Sequence, residues 1–89
     1  MAILITMSGD RVKIKPAEKF FTLEELQKLV GGYIQVINLD GDKVMIMDEE
    51  GKLKHKEVNI DATERARGFI FANDCIVGDA LITDSKEFQ

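Results

Sequence analysis

The sequence predicts a small α+β domain: mainly an antiparallel sheet, with one principal helix and a second short one, in the order β-β-α-β-β-(β)-α-β. Three observations carry this reading. Residues 20–36 contain a complete set of helix start and stop signals that runs straight into a strand. Arg11 to Lys15 alternates apolar and basic residues, as a half-buried strand does. Two β-branched runs, 33–37 and 43–47, flank the turn-forming Asn38-Leu39-Asp40-Gly41.

Taken in order, Ile3 to Thr6 and Arg11 to Lys15 are expected to form a hairpin around Ser8-Gly9. A two-residue turn sets Ile5 opposite Val12 and Ile3 opposite Ile14, so that one face is apolar. Pro16 lacks an N–H and ends the ladder. Thr22-Leu23-Glu24-Glu25 then has the spacing of a capping box, and Phe21 and Leu26 are placed as a hydrophobic staple. Leu23, Leu26 and Val30 recur on one face, with Leu29 beside them. The acidic first turn and Lys28 near the end complement the helix dipole. Either Gly31 or Gly32 can take the left-handed conformation that closes such a helix.

The next hairpin, with Asn38 opposite Asp42, places Ile34 and Val36 across from Ile46 and Val44 as a floor for the helix. Its other face carries Tyr33, Gln35, Ile37, Lys43, Met45 and Met47; the apolar set Tyr33, Ile37, Met45 and Met47 requires cover, either from the first hairpin or Phe69 to Phe71 or from outside the chain, and is the candidate interaction face. Residues 52–58 are expected to return as a shorter strand with Lys52, Lys54 and Lys56 on one side, the candidate contacts for an anion. Asn59 or Asp61 caps the second helix, which Gly68 stops. Cys75 to Thr83, interrupted by Gly78-Asp79, is either a bent closing strand or a hairpin. The polar tail 84–89 is expected to fray.

At 89 residues the chain is one domain, and with 45% apolar residues it folds rather than remaining disordered. Twelve basic against sixteen acidic residues give a net charge of −4, which disfavours nucleic acid as a partner. The apolar start, Met1 to Met7, lacks a basic leader and breaks at Ser8, so no signal or membrane segment is expected and the expected location is cytoplasmic. The sole cysteine, Cys75, cannot close an intrachain disulfide. His55, the sole histidine, has no ligand partner at metal-binding spacing, and Asp48-Glu49-Glu50 lacks the ligand alternation of a calcium loop. No catalytic, metal or cofactor residues are therefore assigned, and the chain is read as not an enzyme.

The run Leu23-Glu24-Glu25-Leu26-Gln27-Lys28-Leu29-Val30-Gly31-Gly32-Tyr33-Ile34, with Glu49-Glu50-Gly51-Lys52-Leu53, Asn59 and Ile76-Val77-Gly78-Asp79, resembles a family of unknown function, domain of unknown function 3846, over roughly residues 20–84. The resemblance implies a setting in phages and bacterial mobile elements and implies no activity. Where relatives often have a Gly-Leu-Pro-like segment before the asparagine, this chain has His55-Lys56-Glu57-Val58. The resulting expectation is a non-catalytic interaction or accessory protein with a protein partner or a second copy of itself. The alternative is a binding or sequestering protein for a small anionic, nucleotide-like signal.

Overall fold

The computed structural model describes residues 2–87. It contains β1 (Ala2–Ile5), β2 (Arg11–Ile14), α1 (Leu23–Val30), β3 (Ile34–Asn38), β4 (Lys43–Asp48), α2 (Ile60–Arg65) and β5 (Ala80–Asp84), followed by a 3-10 turn at Ser85–Glu87. The five strands form one antiparallel sheet in the order β2-β1-β5-β4-β3. This is the α+β class that the sequence predicts. The last strand lies in the middle, and the two hairpins flank it.

Each face of the sheet carries its own apolar core. On one, Phe21, Leu26 and Val30 pack with Ala2, Val44, Ile46 and Leu81, and Ile34 and Val36 complete the floor. The capping box is present: Thr22 Oγ1 accepts from the Glu25 N–H while Glu25 accepts from the Thr22 N–H. Gly31, at φ +86°, is the glycine that closes α1. Leu23, expected on the buried face, is instead 55% exposed, because it occupies the first turn beyond the sheet-facing stripe. On the second face Met45, Met47, Ala62, Ala66, Ile76 and Ala80 form the other core.

Two hairpin registers differ from expectation. In the first, Leu4 pairs with Val12 and Ala2 with Ile14. The loop is Met7-Ser8-Gly9, closed by a Gly9 N–H to Thr6 C=O bond, with Gly9 at φ +99°. Because both faces of β1 are covered, its apolar residues do not choose a register, and the loop does. Arg11 thereby turns to the α2 face, where its guanidinium meets Asp61 at 2.8 Å. In the central hairpin Val36 pairs with Ile46 and Ile34 with Asp48, a shift of two that preserves both faces. The chain reverses later than expected, with Gly41 and Asp42 both at positive φ.

The expected strand at 52–58 is not formed. Residues 49–55 wind into turns, and of the segment 52–58 only Val58 bridges, to Val77. Gly78, at φ +74°, then separates that bridge from β5, so 75–83 is neither one bent strand nor a regular hairpin. In the tail, Asp84 ends β5 and Ser85–Glu87 are ordered, with the Glu87 C=O accepting from the Phe21 N–H. The remainder of the expected frayed segment, 88–89, lies outside the described residues. No helix among the described residues is long and apolar enough to cross a membrane.

Candidate functional site

The two edges of the sheet differ in kind. β2 carries Arg11 and Lys13, with Lys15 following, which is the charge protection usual for an open edge. The opposite edge, Ile34-Gln35-Val36-Ile37-Asn38, carries no charge. Bonds from the Leu39 N–H to the Lys43 C=O and from the Glu49 N–H to the Tyr33 C=O identify the inward-pointing pairs. Alternation then directs the N–H and C=O of Ile34, Val36 and Asn38 away from the sheet. None of these groups has a partner among the described residues.

Beside this edge, on the α2 face, a cavity of about 630 Å³ lies between Gln35, Ile37 and Met47 of the sheet and the segment 68–77. Its walls mix apolar and polar groups, with Ile70 half-buried and Phe71 83% exposed. Glu49, Lys52 and Asp74 supply polar groups, and Cys75 is half-buried in the wall. Lys52 and Asp74 form an ion pair, whose hydrogen bond raises the ammonium and lowers the carboxyl from their ordinary values.

What holds the segment opposite β3 is Asn59, which is fully buried. Its side-chain oxygen accepts from the Ala62 N–H and caps α2, while its amide donates to the Ile5 and Gly78 carbonyls, both at 2.8 Å. Thr63 extends the network: its hydroxyl donates to the Asn59 C=O and accepts from the Ile76 N–H. A strand end, a helix start and one wall of the cavity are therefore tied at one side chain.

The sequence-predicted residues divide accordingly. Met45 and Met47 are buried under α2 and its following loop, so the expected uncovered face is closed within the chain at those positions. Ile37 is half-buried at the cavity, and Tyr33 is 66% exposed at the start of β3. Lys54 and Lys56 are engaged within the chain, although Lys54 is still exposed. They converge on the Asp48 carboxylate at 2.9 and 2.8 Å and donate to the last carbonyls of α1, those of Gly31 and Val30. Burial would raise Asp48, but the bonds from Lys56, Lys54 and the Glu50 N–H outweigh it and hold the group at about 2. Lys52 alone of the three reaches the cavity.

His55 is not among the residues lining the wall that contains Cys75. Among the described residues no group of three or more His, Cys, Asp or Glu is placed to hold a metal ion. Sequence reasoning placed Gln35 on this face without singling it out, offered Phe69 to Phe71 as one cover for it, and missed the wall at 72–76. The legible signal was a strand with no charge on any residue.

No curated protein and no solved structure matches the chain. A family model does, and it spans the whole chain rather than the stretch that carries the visible resemblance. With residues 1–89 matched, the chain belongs to the family described as Domain of unknown function (DUF3846).

Proposed function

We propose that this domain is a non-catalytic interaction protein, one that accepts an extended segment of a protein partner along β3. The observation that supports this reading is the unpaired, uncharged edge of β3 lying directly beside a cavity lined by both apolar and polar side chains. Strand addition draws its affinity from main-chain hydrogen bonds and its specificity from pockets that receive alternate side chains. Here Ile34, Val36 and Asn38 offer the hydrogen bonds. Partner side chains facing the same way as Gln35 and Ile37 would enter the cavity against Phe71. The family resemblance adds an accessory role in a phage or mobile element to the same proposal.

A library of displayed heptapeptides, selected against the wild type and counter-selected against Val36→Pro, tests this directly. The expected result is a set of alternating apolar sequences whose binding is lost in the variant. Selection that yields no peptide dependent on Val36 overturns the reading.

A further inference from the structure

The outward groups of β3 are spaced evenly about Val36, and this makes the edge complementary to itself. If two copies meet about a twofold axis at Val36, Ile34 lies opposite Asn38 of the partner and Val36 opposite Val36 of the partner. Each such pair exchanges two bonds, about six in all, and every outward donor finds an acceptor. No like charges face each other within the strand.

The ends of the edge decide the direction. At one end, Lys54 is 41% exposed and lies against Gly32, as does the fully buried Asp48 carboxylate that it shares with Lys56, which leaves one net positive charge there. At the other, Asp40 is exposed in the hairpin loop. Antiparallel pairing about Val36 carries Asp40 to the partner's Gly32 and hence towards the partner's Lys54. Parallel pairing would set Asp40 on Asp40 and Lys54 on Lys54. The same antiparallel register places Tyr33 across from the partner's Leu39, and Gln35 across from the partner's Ile37 at the mouth of the cavity.

Building on the reading of β3 as an acceptor edge, we infer that its occupant is a second copy of this chain, joined antiparallel about Val36 so that two five-stranded sheets become one. A strand pair of this length buries less than a standard interface, so the dimer is a concentration-dependent one.

Sedimentation across a concentration series tests the inference, with circular dichroism used to confirm folding. Wild type is expected to dimerise and Val36→Pro to stay monomeric, since the proline removes an outward N–H. Should that variant fail to fold, Asp40→Lys, in an exposed loop, is expected to weaken dimerisation about threefold by setting like charges together. In a Cys75→Ser background, mixed Gln35→Cys and Ile37→Cys proteins are expected to form disulfide-linked dimers faster than either alone. A wild type that remains monomeric, or a dimer that neither substitution weakens and the mixed pair does not cross-link, overturns the inference. A monomer that still binds the selected heptapeptides overturns only the second copy as occupant. One that binds none overturns the acceptor edge as well.

Discussion

Asn59 shows how one side chain can hold together parts of the fold distant in sequence. Its role as a helix cap was legible, because an asparagine before a short amphipathic run is a known start signal. Its donor role was not, since the carbonyls of Ile5 and Gly78 come within reach only after the sheet and the 76–78 segment have assembled. The two roles can be separated. Asn59→Ala loses the cap and takes a donor from two carbonyls, and is expected to cost about 3 kcal/mol in urea denaturation. Asn59→Asp keeps the cap acceptor but sets a buried carboxylate against two carbonyl oxygens, so it is expected to be at least as destabilising at neutral pH. Its folded-state pKa is raised, so the folded state binds the extra proton and stability should partly recover as pH falls. A variant equally unstable at both ends of that range would count against the donor role.

At the level of elements, the helix was legible to the residue, because capping, stapling and glycine termination are local chemistry. The hairpins were legible in their faces but not in their registers, which positive-φ loop residues such as Gly9, Gly41 and Asp42 set. The strand expected at 52–58 failed for a different reason. Its lysines find a buried carboxylate and two helix-end carbonyls, which outweighs the alternation that the pattern suggested. For the candidate site, Tyr33 and Ile37 were legible as an apolar face in want of cover. Phe69 to Phe71 were legible as one possible cover, but the wall at 72–76 was not, because only the tertiary path of the chain brings it beside β3.

The alternation of β3 makes a sharp contrast between neighbours. Proline at Val36 removes a donor directed at solvent and is expected to cost no more than about 1.5 kcal/mol, whereas at Ile37 it removes a bond to β4 and is expected to cost about 3 kcal/mol. Thermal melts of the two variants would show this. Equal losses would mean that the inward and outward assignments are wrong.

Across the whole molecule, six carboxyl groups share one tendency. Glu25, Asp48, Asp61, Asp74, Asp84 and Glu87 all lie below their ordinary values, Asp48 furthest, at about 2 against 3.8. The folded state therefore binds fewer protons than the unfolded chain near pH 4. The resulting stability is fully present above the unfolded-state values and is lost as pH falls through the folded-state ones. Asp48 alone is expected to contribute about 2 kcal/mol to this acid limb. Urea titrations between about pH 5 and pH 2 should show the decline in the wild type and a shallower one in Asp48→Asn. An unchanged slope would mean that the Lys54 and Lys56 bonds do not set the Asp48 carboxyl in solution.

The central place of β5 has a consequence for how the chain is made. Within the sheet β1 and β4 are joined through Ala80–Asp84, and the helix that packs on them rests on Leu81 as well. Both hairpins are made before β5, and although each also packs with α1, the sheet between them closes only when β5 arrives. Until residue 84 is out, the nascent chain exposes the inner edges of β1 and β4 as well as the outer edge of β3. The timing of synthesis, as much as the final contacts, thus decides how long this domain presents bare strand edges to its surroundings.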